Sequence, residues 1–129
     1  MISVSISIDV PNLEDGVRFY CDAFGFSKRS EPAPGVVVLQ ADGSEICLLE
    51  KKSGSVPAPD TQDTRHYQRH WTPVHMDFHV DDLKVALAAA VKAGAKQEQL
   101  FENPGYPSVA FCSDPFGHGF CLIERRRKK

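Results

Sequence analysis

No sign of charge dominates this chain. Its 129 residues hold 15 lysines and arginines against 17 aspartates and glutamates, a formal net charge of −2. Such a balance gives no basis for nucleic-acid binding or for attachment to an acidic membrane surface. Long hydrophobic runs are also missing, so no membrane-spanning segment is expected. Met1 is followed at once by an alternating pattern, without the charged stretch and cleavage site of a secretory leader. Cysteine is scarce: Cys21, Cys47, Cys112 and Cys121 form no C-x-x-C pair. They fall inside predicted helices and strands, as small buried hydrophobes do, and read as reduced thiols of a cytoplasmic protein. The one like-charged run is the basic end after Glu124, Arg125 to Lys129, which reads as a solvated tail.

What is present is an ordinary globular composition, 42% hydrophobic and 25% charged. It suits one domain, or two half-domains of about 60 residues that share a core, because a half of that size is marginal alone. The most informative stretch is Thr72–Leu83, T-P-V-H-M-D-F-H-V-D-D-L. Val74, Met76, Phe78 and Val80 alternate with His75, Asp77 and His79, which is a half-buried strand with a polar opposite face. Asp81 or Asp82 then caps an alanine-rich helix over Leu83–Ala93, ended by Gly94. The start of the chain follows the same plan. Ile2, Val4, Ile6, Ile8 and Val10 alternate with Ser3, Ser5, Ser7 and Asp9, and Pro11-Asn12 leads into a helix over Leu13–Phe24, ended by Gly25.

Two further matches extend the parallel. I-D-V-P-N-L aligns with F-H-V-D-D-L, and Cys47-Leu48-Leu49-Glu50-Lys51 aligns with Cys121-Leu122-Ile123-Glu124-Arg125. The same signals in the same order argue for an internal duplication. Strands are predicted at 26–30, 36–40 and 45–50, with Asp42-Gly43 as a hairpin turn, and again near 95–99, 108–112 and 119–124. The expected organisation is α+β: a βαβββ module over 1–52, a linker or lid over 53–73, and a second βαβββ module over 74–129 with the basic tail. The two modules form a curved mixed sheet around a cavity. The apolar alternation of each first strand is expected to lie under its helix. Ser5, Ser7, His75, Asp77 and His79 then face the cavity. The closing strands place Cys47 and Cys121 on that side and turn Glu50 and Glu124 away.

The paired β-α-β-β-β pattern, F-Y-C-D-A-F-G-F at Phe19–Phe26 and F-C-S-D-P-F-G-H-G-F-C-L-I-E at Phe111–Glu124 resemble the vicinal oxygen chelate superfamily. That superfamily includes glyoxalase I, extradiol dioxygenases and bleomycin- and fosfomycin-resistance proteins. The resemblance covers essentially the whole chain and implies a fold of paired modules around a cavity, often as a homodimer. Its metal-dependent members use a strand-one residue and a last-strand residue in each module. Carried over, those positions are Ser5, His75, Cys47 and Cys121, so only His75 keeps the pattern. The expectation is therefore a small-molecule binding protein without a metal or other cofactor. Tyr67, Trp71, Phe101, Tyr106 and Phe111 offer flat apolar contact, with Ser5, Ser7, Cys47 and Cys121 as further wall and His75, Asp77 and His79 as polar or acid–base groups. The alternative is an enzyme of the same superfamily, a lyase, isomerase or dioxygenase-like protein, using His75 and His79 or a divalent metal. Zinc on His75, Cys47 and Cys121 is the form of that metal site these residue types favour.

Overall fold

Both helices start on a side chain that accepts a hydrogen bond from the first turn. Asn12 takes the amide of Asp15 at 3.0 Å, and Asp82 takes that of Val85 at 3.2 Å. In the computed structural model, which describes residues 1–125, these caps open α1 (Leu13–Phe24) and α2 (Leu83–Ala93). Each helix follows a strand, β1 (Ile6–Val10) or β5 (Met76–Val80). Three more strands complete each module: β2 (Ser27–Ala33), β3 (Val36–Ala41) and β4 (Ser44–Glu50) in the first, β6 (Lys96–Phe101), β7 (Val109–Ser113) and β8 (Gly119–Glu124) in the second. The fold is α+β. Each module is a four-stranded mixed sheet, ordered β1-β4-β3-β2 and β5-β8-β7-β6, with the first and last strands parallel and the others antiparallel. The chain divides into compact units at 1–67 and 68–129. The basic tail from 126 onward lies outside the described residues.

The closing glutamates show why the two modules share a plan. Glu50 accepts a hydrogen bond from the Leu13 amide at 2.8 Å, and Glu124 accepts one from the Leu83 amide at 3.1 Å. Each carboxylate thus satisfies an otherwise unpaired amide in the first turn of its helix, where negative charge is favoured by the helix dipole. The backbone repeats the arrangement. Lys51 N–H donates to Val10 C=O and Arg125 N–H to Val80 C=O. Both glutamates point at helices rather than into the open face of the sheet, as the alternation of β4 and β8 requires.

The cores form between each helix and one sheet face. In the first module Phe19, Tyr20, Val10, Val37, Leu39, Ile46 and Leu48 are buried. Gly16 lets the helix approach: a Cβ there would sit 3.0 Å from Val10 Cγ1 and 3.2 Å from Leu48 Cδ1. The second module is less covered, because α2 buries Leu83 and Ala90 where α1 buries two aromatic side chains. Met76, Phe78 and Val80 are accordingly half-buried.

One expectation fails at the strand starts. Ile2, Val4 and Val74 do not lie under the helices; they are 95%, 84% and 81% exposed. The ladder explains this. Pairing begins at Ile6–Ile46 in the first module and at Met76–Phe120 in the second, so the residues before them have no strand partner holding them against a helix. Ile6, at the first rung, is itself 44% exposed.

Candidate functional site

The open face of the second sheet carries a cavity of about 340 Å³. Two features of local structure place its polar end. The period-2 alternation entering β5 sets His75 and Asp77 on the same side, and the parallel pairing of β5 with β8 sets Asp77 beside Cys121. His75 Nε2 lies 3.1 Å from Asp77 Oδ1, and the Cys121 thiol also hydrogen-bonds Asp77. One donor atom from each of the three residues falls within 4.8 Å of the others. His75 and Asp77 are about half exposed, whereas Cys121 is buried. Burial, with the Asp77 charge second, pushes the Cys121 thiol up to about 11, so it is a neutral hydrogen-bond donor at neutral pH.

The apolar wall comes from Trp71, Val109, Phe111 and Ile123. Phe101 stands behind Phe111, its ring edge-on with centroids 5.1 Å apart. The remaining wall is an ion pair. Arg69 holds Glu98 through two bonds, Nε–H to Oε2 at 2.8 Å and Nη2–H to Oε1 at 3.2 Å, and it also donates to the backbone oxygen of His70. The guanidinium packs on the backbone of Gly119, where a Cβ would meet Nη2 at 2.7 Å. Glu98 is held below the usual carboxylate range, chiefly by its hydrogen bond from Arg69. This ion pair fixes the 69–72 segment against the sheet and so builds the side of the cavity that carries Trp71.

Of the residues singled out in the sequence, His75, Asp77, Cys121, Trp71 and Phe111 meet at this cavity. His79, Phe101 and Tyr106 are not among its lining residues; Tyr106 is 73% exposed on the turn before β7. Ser5, Ser7, Cys47 and Tyr67 belong to the first module. There Ser7 pairs with Cys47, while Ser5 is exposed ahead of β1. Tyr67 donates to the Lys51 carbonyl at 2.5 Å. Close by, Arg65 Nε donates to Asp9 at 2.7 Å, and the backbone bonds joining Gly54 and Ser55 to Arg65 close this loop on itself. Arg69, Glu98 and Gly119 were not foreseen as a unit. A glycine inside a predicted strand was the available signal, since it marks a place where another chain segment approaches the backbone.

The donors decide which metal this face suits. At the last-strand position of this module the superfamily pattern has a glutamate, but this chain has Cys121, and the nearby Glu124 serves the helix amide. The set does not fit an oxygen-preferring ion of the superfamily type.

Residues 5–123 match the family model described as a glyoxalase-like domain. No curated protein matches. Among solved structures, a variant of the fosfomycin resistance protein FosX from Listeria monocytogenes, complexed with Mn(II) and 1S,2S-dihydroxypropylphosphonic acid, superposes with a TM-score of 0.73 at 18% identity, covering 98% of this chain and 93% of that one. A lactoylglutathione lyase from Agrobacterium tumefaciens gives 0.65 at 17% identity, with 95% and 92% covered. The hypothetical protein SA1046 from S. aureus gives 0.70 at 18%, with 97% and 98% covered.

Proposed function

Because this chain belongs to the glyoxalase-like domain family of the vicinal oxygen chelate superfamily, we propose that it binds a small organic molecule with a flat apolar body and a hydrogen-bond-donating head. The observation that carries this reading is the second-module cavity, with Trp71 and Phe111 on its wall and Asp77 at its polar end. Its volume is within the range of small-ligand sites. An ionised carboxylate has about four lone-pair sites. Asp77 engages His75 and Cys121, which leaves acceptor capacity for a hydroxyl or amine of the ligand. Arg69 offers less to a ligand anion, because its charge is matched by Glu98. The cavity therefore prefers neutral or cationic aromatic molecules to acids. The test is a panel of phenols, aromatic amines and matched aromatic carboxylates, followed by ¹H–¹⁵N NMR of the whole chain. Shifts centred on Trp71, Phe111 and Cys121, strongest for phenols and amines, are expected. Shifts elsewhere, or a preference for the carboxylates, overturn the proposal.

A second reading rests on the His75–Asp77 contact. A carboxylate at 3.1 Å from Nε2 orients an imidazole as an acid–base group, the minimum for a metal-free lyase or isomerase. Turnover lost in His75→Ala, with binding retained, is its expected signature. Fosfomycin- or glutathione-directed chemistry is not carried over from the structural neighbours, since likeness at this identity is a likeness of fold. The protein is further proposed to act as a homodimer in a reducing, cytoplasmic setting. Exposed Ile2, Val4 and Val74 supply apolar surface for self-association, and its four cysteines are free thiols. Sedimentation at micromolar concentration tests the dimer, and a monomer there removes it.

A further inference from the structure

We propose that Glu98 is the residue that selects ligands by charge at this cavity: by matching Arg69 it keeps anions out, and without its charge the same cavity accepts them. The inference rests on the reading that the cavity takes a small organic molecule, and it names the side chain that discriminates among such molecules.

Three observations carry it. First, the backbone is built to deliver this side chain. The register of β6 on β7 passes from Gln97–Cys112 directly to Gln99–Phe111, so Glu98 is the extra residue of a β-bulge. A bulge re-aims a side chain beside a site while the strand continues past it. The first module has the same bulge: β2 on β3 passes from Lys28–Leu39 to Ser30–Val38 and skips Arg29. Arg29 and Glu98 each stand four residues past the glycine that ends the helix, Gly25 or Gly94. Arg29 bonds Glu45 at 2.7 Å, so the position carries a charge of opposite sign there. The bulge belongs to the module plan, and the sign of the charge on it is particular to this cavity. Second, Glu98 occupies the place an anion would take. Arg69 gives it the Nε–H and an Nη2–H and gives an Nη1–H to the His70 carbonyl, which engages three of the five guanidinium N–H groups. Third, the charges lining the cavity leave no surplus cation. Besides His75, two carboxylates, Asp77 and Glu98, face one guanidinium among the described lining residues.

The carboxyl is kept ionised by its neighbours. The hydrogen bond from Arg69 comes first in holding it below the usual carboxylate range, and a bond from Ser113 and the nearby charge of Lys96 add to it. A ligand carboxylate approaching Arg69 at neutral pH therefore meets a carboxylate already in place. Charge and shape can be separated by substitution. Glu98→Gln keeps an oxygen acceptor for Arg69 and removes the charge, whereas Glu98→Asp keeps the charge on a shorter side chain.

The probes are benzoate, benzyl alcohol and benzylamine, which share a ring and differ in charge, and inorganic phosphate, an anion without a ring. Each is titrated into the full chain and followed by ¹H–¹⁵N NMR at Trp71, Gly119 and the Arg69 side chain. In the wild type benzoate should bind most weakly of the three aromatic probes, and phosphate should give no saturable shift at Arg69. Glu98→Gln should raise benzoate affinity relative to benzyl alcohol on the order of tenfold, the scale of a unit charge acting across a few ångströms near a protein surface. It should also weaken benzylamine and give phosphate a saturable shift at Arg69 and Gly119. Glu98→Asp should stay close to the wild type. Adding Arg69→Gln to Glu98→Gln should remove both gains. A benzoate-to-benzyl alcohol ratio unchanged by Glu98→Gln, no phosphate shift in that variant, or a gain that survives the loss of Arg69 overturns the proposal. Failure of all three aromatic probes to bind either protein removes the organic-ligand reading instead, and the phosphate titration then decides the role of Glu98 by itself.

Discussion

Gly119→Ala tests how the cavity wall is held. The new methyl group would start 2.7 Å from Arg69 Nη2 and 3.1 Å from its Cζ, against an ordinary contact of about 3.5 Å. The guanidinium must retreat by about 0.8 Å or swing away. Its Nη2 bond to Glu98 is already 3.2 Å long and cannot survive that shift, although the 2.8 Å Nε bond has more margin. Energetically the change is small. The Arg69 and Glu98 side chains are 41% and 26% exposed, so solvent screening holds their coupling to about 0.5–1 kcal/mol. Replacing glycine by alanine in a strand returns about 0.5–1 kcal/mol. The melting temperature should therefore barely move, and the informative readout is local. Glu98 owes its lowered pKa first to Arg69. In the wild type its contribution to stability is complete above the ordinary carboxylate range, near 4.3, and is lost as pH falls through the lower folded-state value. Following the Glu98 side-chain carboxyl by ¹³C NMR from neutral to acid pH, its midpoint should rise toward the ordinary value in Gly119→Ala and further in Arg69→Gln. The Trp71 resonances should shift with it. An unchanged Glu98 midpoint in Gly119→Ala would refute the argument that the bare backbone at 119 seats the arginine.

The remaining predictions concern the scaffold. Glu124→Ala removes the acceptor for the Leu83 amide and should cost about 1 kcal/mol, with Glu50→Ala giving a similar loss in the first module; thermal unfolding checks both, and a neutral result in both would show that water replaces the carboxylates. Asp114→Ala should be more severe, about 2–4 kcal/mol, because buried Asp114 accepts from the amides of Phe116 and His118 and closes the D-P-F-G turn; urea denaturation gives the value. Gly16→Val pushes branched bulk into Val10 and Leu48 and should cost about 1–3 kcal/mol, with hydrogen exchange rising first in α1 and β1.

Local patterns in the sequence determined most of the fold. The helices over Leu13–Phe24 and Leu83–Ala93 and the last strand over Gly119–Glu124 were legible to the residue. Each is bounded by a cap, a glycine or a tight turn, and these signals act over a few residues. Alternation likewise sorted the closing strands, separating buried Ile46, Leu48, Phe120 and Leu122 from the face that carries Cys47 and Cys121. It also put His75 and Asp77 together. Tertiary structure decided the rest. Where β1 and β5 begin depends on where their partners β4 and β8 begin, which alternation in Ile2–Val10 or Val74–Val80 does not encode. Pairing register made Asp77 the neighbour of Cys121, and it joined a histidine, a carboxylate and a thiol that lie 46 residues apart at their extremes into one cluster. The Arg69–Glu98–Gly119 wall was least visible, because K-Q-E-Q-L-F carries no pattern that marks Glu98, and the value of Gly119 lies in a guanidinium 50 residues earlier in the chain. Short-range rules of capping and periodicity specify elements; which side chains meet is set by pairing between strands far apart in sequence.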